Sequence, residues 1–94
     1  MLKIAITSKF KRDFKKKAIK QGKNKQKLDE IVSLLQEKKP LPEKNRDHAL
    51  IGNYLGYREC HIMPDWLLIY RIKEDDSVEL LELARTGSHS ELFN

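Results

Sequence analysis

Three histidines, His48, His61 and His89, lie in the second half of the sequence, and imidazole is the side chain that most readily exchanges a proton near neutral pH. Two of them can serve one reaction as base and acid. Asp65 follows His61 closely and offers a carboxylate that can orient an imidazole. Arg85 precedes His89 and offers a guanidinium that can hold a phosphate and offset the charge that builds on it. Trp66 and Phe93 supply rings able to stack on a base or wall a site. These are the parts needed to cut RNA without a metal: a 2′-hydroxyl loses its proton and attacks the adjacent phosphate, and the leaving 5′-oxygen is protonated. Each residue has a plainer reading on its own. The histidines can be solvated or structural, Trp66 and Phe93 can be packing residues, Asp65 a turn residue after Pro64, and Arg85 a partner of Glu82 or Glu59. No His-x-x-x-His or Cys-x-x-Cys spacing supports a metal centre, so neither metal nor other cofactor is expected.

For this set to act together, the chain must fold its second half into paired strands. Residues 54–62, 66–72 and 78–85 are rich in aromatic, aliphatic and β-branched types, with turn signals at Met63-Pro64-Asp65 and at Glu74-Asp75-Asp76-Ser77. Connections that short predict an antiparallel meander. In a meander, the end of the third strand returns to the end where the second began. His61, Asp65, Trp66, Arg85 and His89 are therefore expected at one edge of the sheet. Alternation points Cys60 to the face opposite His61, as a small buried residue rather than a nucleophile.

The first half reads differently. Leu2, Ile4 and Ile6 alternate with Lys3 and Ala5, which predicts a short opening strand. Thr7 or Ser8 can cap a helix with an apolar stripe of Phe10, Phe14, Ala18 and Ile19, flanked by Lys11, Lys15, Lys16 and Lys20 and stopped at Gly22. Asn24 can cap a second helix carrying Leu28, Ile31, Val32 and Leu35, ended by Pro40 and Pro42. The pair is read as an antiparallel helical hairpin. A polar loop then leads to His48, and Ser88 or Ser90 begins a short terminal helix through Phe93. The predicted class is α+β: an N-terminal strand, a helical hairpin, a three-stranded antiparallel meander and a short C-terminal helix, all in one domain over residues 1–94. The neighbour of the first strand does not follow from the pattern.

Charge is uneven along this order. The chain carries a formal +5, yet residues 1–27 hold 11 Lys and Arg against one acid, Asp13, while the remainder is net negative. A basic first third suits a surface that meets a polyanion, although a solvated lysine face has the same composition. A single cysteine in so small a chain fits a reducing cytosol. With neither a signal-peptide pattern nor an apolar run long enough to span a bilayer, no membrane association is expected.

Four blocks carry a resemblance: Arg46-Asp47-His48; the run from Gly56 to His61; the run from Pro64 to Arg71; and the ending from Ala84 through Arg85-Thr86-Gly87-Ser88-His89 to Phe93. They occur in order over residues 46–93, and there the chain resembles the YafQ branch of the RelE/ParE superfamily, the mRNA-cleaving toxins of bacterial type II toxin–antitoxin modules. Residues 1–45 match in pattern only. The resemblance implies a RelE-like, microbial-ribonuclease-like fold and a ribosome-dependent, metal-independent endoribonuclease that inhibits translation. It implies His89 as principal acid or base, with His48, His61 and Asp65 sharing proton transfer and orientation. Arg85 is then placed on the scissile phosphate, and Trp66 and Phe93 at the substrate. Lys11, Lys15 and Lys16 are expected on ribosomal RNA at the A site. A small acidic antitoxin is the implied partner, linking the toxin indirectly to operator DNA. Which histidine deprotonates and which protonates is left open. The RelE branch relies mainly on Arg, Lys and Tyr, so its mechanism does not transfer in detail. The competing class is a non-catalytic RNA- or protein-binding module of the same fold, which has no need of the histidine set.

Overall fold

The alternating Leu2, Ile4 and Ile6 do form a strand, β1 (Lys3–Ile6), in a computed structural model that describes residues 1–17, 22 and 24–93. Thr7 ends the strand and starts α1 (Ser8–Lys15): its Oγ1 accepts from Phe10 N at 3.0 Å and donates to Ala84 O at 2.8 Å. One side chain thus satisfies an orphan amide and ties the helix to a strand far along the chain. The stripe residues Ala18 and Ile19, with Lys20, lie outside the described residues. Asn24 Oδ1 caps α2 (Lys25–Gln36) by accepting from Gln26 N at 2.9 Å. Leu28, Ile31, Val32 and Leu35 are buried along one side of α2, as their spacing predicts.

The second half holds β2 (His48–Ala49), β3 (Arg58–Met63), β4 (Trp66–Asp75), β5 (Val78–Gly87) and α3 (His89–Phe93). The sheet order is β1-β5-β4-β3-β2; the meander is antiparallel, and β1 lies parallel to β5 at the edge. That settles the neighbour of the first strand.

Three sequence expectations need correction. The first meander strand begins at Arg58, not at Tyr54, because Gly52 and Gly56 have φ of +69° and +95°, outside the extended region that a strand requires. The intervening Tyr54 sits in a single 3₁₀ turn, Gly52–Tyr54. His48 is not in a loop but in the edge strand β2, paired with Glu59; a strand of two residues is too short to show alternation. β4 runs on to Asp75 because the reversal needs only Asp76 and Ser77, both at positive φ, the geometry of a two-residue hairpin turn; β5 starts at Val78 as expected and continues past Arg85 to Gly87, where Thr86 and Gly87 pair with Leu68 and Leu67.

The two sheet faces are packed differently. On one, Cys60, Ile62, Trp66, Leu68, Tyr70, Leu81 and Leu83 meet Phe10 of α1 and the apolar stripe of α2. On the other, Leu67, Ile69 and Ala84 meet Leu92 of α3, with Leu50, Tyr54 and Tyr57 packed against them. Beyond Leu83, where β1 no longer pairs with it, the edge of β5 is covered by α1: Thr86 N donates to Asp13 Oδ2 at 3.2 Å.

Candidate active site

The face away from α1 and α2 carries most of the candidate residues, because strand parity puts them there. His48 pairs with Glu59, Glu59 with Ile69 and Ile69 with Arg85, so these four form one cross-strand row. His61, Leu67 and Gly87 form the next. Directly paired residues share a face, and each strand step is about 4.8 Å. Glu59 and Arg85 are therefore about 10 Å apart at the backbone.

Glu59 is the residue that sequence reasoning missed. Only 5% exposed, its carboxylate lies between two imidazoles, with Oε2 3.9 Å from His48 Nε2 and Oε1 3.7 Å from His61 Nε2. Those distances exceed direct hydrogen bonding, so the arrangement is electrostatic. The signal was available, since Glu59 lies two residues before His61 and hence on the same strand face. The orientation of His48 is also fixed: its Nδ1 is 2.7 Å from Arg46 O. A carbonyl only accepts, so Nδ1 carries a proton whether the ring is neutral or charged. Any proton that His48 takes or gives therefore passes through Nε2.

Arg85 does not pair with Glu82 or Glu59. It reaches across to α1, where Nε donates to Asp13 Oδ2 at 2.6 Å and Nη2 to Oδ1 at 3.1 Å. This fork raises its already high pKa, with Asp13 as the leading cause. Asp13 is the lone acid in the basic first third, and its rarity there was the only sequence clue to the role.

His89 opens α3, exposed, 4.9 Å from the Phe93 ring, which in turn meets Tyr54 edge-on at 5.7 Å. The helix is held by a capping box: Glu91 N donates to Ser88 Oγ at 3.2 Å and Ser88 N donates to Glu91 Oε1 at 2.7 Å. Glu91 also faces Lys17 at 2.7 Å and Lys16 at 3.2 Å. Lys17, then the Ser88 amide, hold the Glu91 carboxyl well below the usual carboxylate range. Space is tight at Gly87, since a Cβ would stand 3.2 Å from Glu91 Oε1 and 3.4 Å from Leu92 Cδ2.

The expected cluster of five at one edge is thus divided. His48, Glu59 and His61 form one group, and Arg85, His89 and Phe93 border the same face from β5 and α3. Asp65 is exposed in the turn between β3 and β4. Trp66 is excluded from substrate contact. It is completely buried on the helix side, where its Nε1 donates to Thr86 Oγ1 at 2.8 Å. Its parity with Leu68 and Tyr70 dictates that burial, and no ring face is left for a base. Lys11 and Lys15 are exposed, whereas Lys16 is engaged with Glu91. Cys60 is fully buried, and that burial pushes its thiol up to about 12, as suits an inert core residue. Among the described residues, no three His, Cys, Asp or Glu side chains converge to hold a metal ion, and no helix is long and apolar enough to cross a membrane.

A family profile described as a bacterial toxin of the type II toxin–antitoxin system, YafQ, matches residues 2–94. The chain belongs to the YafQ toxin family. It is 38% identical over 91 residues, covering 96% of this chain and 94% of the relative, to the mRNA interferase toxin YafQ of Escherichia coli K12. Its fold superposes on a metal-bound toxin from Helicobacter pylori with a TM-score of 0.87, at 43% identity over 99% of this chain and all of the other. The E. coli DinJ–YafQ toxin–antitoxin complex matches at TM-score 0.83 and 37% identity, covering 99% of this chain and 98% of the other. The α+β architecture with its five-stranded sheet is therefore the YafQ fold, and the chain is the toxin of a type II system.

Proposed function

We propose that this YafQ-family toxin is a ribosome-dependent, metal-independent mRNA endoribonuclease. The observation that carries the reading is a pair of imidazoles on either side of a buried carboxylate, sharing a sheet face with an Arg held rigidly by Asp13. One histidine takes the 2′-hydroxyl proton, and the 2′-oxygen then bonds to phosphorus as the bond from phosphorus to the 5′-oxygen breaks. A second group returns a proton to that oxygen, leaving a 2′,3′-cyclic phosphate and a 5′-hydroxyl. Glu59 compensates the positive charge that an imidazole gains in mid-reaction. His89 serves as principal acid or base, with His48, His61 and Asp65 in proton transfer and orientation. Arg85, its planar fork oriented by Asp13, binds the scissile phosphate. Phe93 positions His89 and walls the site.

Lys11 and Lys15, on the outer side of α1, suit sequence-independent contact with ribosomal RNA in the A site. Setting thus supplies alignment that so small a chain lacks, in the cytoplasm. The partner is an acidic antitoxin, as the DinJ–YafQ complex supports for its relative, with operator DNA reached through the antitoxin. Incubation with programmed ribosomes and a defined mRNA tests the reading. Cyclic-phosphate and 5′-hydroxyl ends formed in the presence of a chelator, with the ribosomes kept intact, are the expected result. Binding without cleavage on translating ribosomes overturns it in favour of a silent binding module.

A further inference from the structure

A groove of about 590 Å³ opens beside His61. Its walls are Lys27 from α2, Lys44 to Arg46 from the turn before β2, and the end of β3 with Pro64. Lys27, Lys44 and Arg46 are exposed there, and among the described residues no carboxylate lines the groove. Part of the surface elsewhere is different, although Lys3, Lys9, Lys11, Arg12 and Lys15 on β1 and α1 are likewise exposed. Lys25, Lys38, Arg58, Arg71 and Arg85 sit in ion pairs of 2.6–3.2 Å. Among the described residues, Lys27, Lys44 and Arg46 take part in none. Uncompensated cations around a concave surface focus positive potential and attract an anion.

The backbone of this basic turn is tied directly to the candidate site. Asn45, buried, donates its side-chain amide to His61 O at 2.7 Å. Arg46 O accepts from His48 Nδ1 at 2.7 Å, and Arg46 N donates to Glu43 O at 3.0 Å. Arg46 holds φ at +48°, a left-handed conformation that a non-glycine residue keeps only where its surroundings impose it. An anion bound in the groove is therefore held in register with both imidazoles.

We propose that this groove binds the RNA backbone next to the scissile linkage, with Lys27, Lys44 and Arg46 on its phosphates. The proposal rests on the RNA-cleaving reading above and adds a second anchor, separate from Arg85 and from the α1 lysines. It fixes which stretch of the strand passes the histidines.

The test uses the full chain and a fluorescein-labelled RNA hexanucleotide methylated at every 2′-oxygen, so that it binds without being cut. Anisotropy is measured against salt for wild type, for Lys27→Ala/Lys44→Ala/Arg46→Asn, and for a charge-matched control, Lys25→Ala/Lys38→Ala/Lys39→Ala. Asparagine tolerates the left-handed backbone at residue 46. The groove variant should bind at least tenfold more weakly than the control. Its slope of log affinity against log salt should be shallower by about 2, as expected for three phosphate contacts on a single strand. Replacing one phosphate by a neutral methylphosphonate should weaken wild type, a result independent of how the variant folds, and should leave the groove variant, shown folded by its circular dichroism, unaffected. Equal losses in groove variant and control overturn the proposal. So does a variant that keeps its RNA affinity but loses affinity for a poly-glutamate peptide, which assigns the groove to an acidic protein. Cleavage on ribosomes is scored separately: RNA held in the groove but never cut removes the catalytic reading alone, and cutting indifferent to the groove variant removes this proposal alone.

Discussion

On the helix side of the sheet, Cys60, Trp66, Leu68 and Leu81 are wholly buried, and the polar atom among them, Trp66 Nε1, is satisfied by Thr86. On the other side, Glu59, His61, Glu82 and Arg85 alternate with Leu67 and Ile69 over the same strands, and charge is handled in pairs or triads. Glu82 is typical: burial pushes its carboxyl pKa up, but hydrogen bonds from Lys73 and Arg71 outweigh that and leave it lowered. The apolar face supplies stability and sets strand geometry. The polar face then receives functional groups at spacings that it did not have to generate. Residues one position apart on a strand therefore differ in kind, and substitutions should separate accordingly.

The sharpest separation is expected from His89→Ala or His48→Ala. Either should lower single-turnover mRNA cleavage on ribosomes by roughly 10²–10⁴-fold, the usual worth of a general acid or base. Thermal melting should be nearly unchanged, and cleavage within threefold of wild type would remove that histidine from the mechanism. Trp66→Ala should do the reverse, costing about 3–5 kcal/mol of unfolding free energy in urea through cavity formation and loss of its bond to Thr86. At temperatures where the variant remains folded it should still cleave.

Asp13→Ala stands between the faces, since it leaves Arg85 without its carboxylate and Thr86 N without its acceptor. A loss of about 1–3 kcal/mol in stability together with slower cleavage is expected, and slower cleavage without destabilisation would contradict the dual role. The smallest effect belongs to Glu91. Its folded pKa lies below the ordinary value of 4.5, so the unfolded chain binds the proton more readily. The stabilisation is then complete above about pH 4.5 and is lost as pH falls through the depressed folded value. Glu91→Gln should lower the urea midpoint at pH 7 by an amount equivalent to about 1 kcal/mol or less. It should also flatten the acid limb of the stability profile; an unaltered limb would show that the carboxylate is not linked to folding.

The same contrast explains what could be read from sequence. Periodicity announced α2 because Leu28, Ile31, Val32 and Leu35 recur at helical spacing. Turn chemistry at Pro64-Asp65 announced the β3–β4 hairpin. Nothing local announces β2, which exists because Glu59 and Arg58 pair with it, nor the position of β1, which is decided by a strand more than 70 residues away. At the site, the histidines were visible by type. Glu59 is hidden by its type, since a strand glutamate also suits an ion pair with Arg85, and the aromatic character of Trp66 suggests stacking whereas its parity with Leu68 dictates burial.

The joining of β1 and Thr7 to residues 80–84, and of Asp13 to Arg85 and Thr86, has a consequence for the order of events during synthesis. These contacts span 72–77 residues of chain, so a large loop must close before they form. The helices and the β3–β4 hairpin have local contacts and can form early. The group around Arg85 and His89 cannot assemble until residues 84–91 have left the exit tunnel. A partly synthesised chain that still lacks residues 84–91 therefore lacks both Arg85 and His89 and the strand that anchors Thr7 and Asp13.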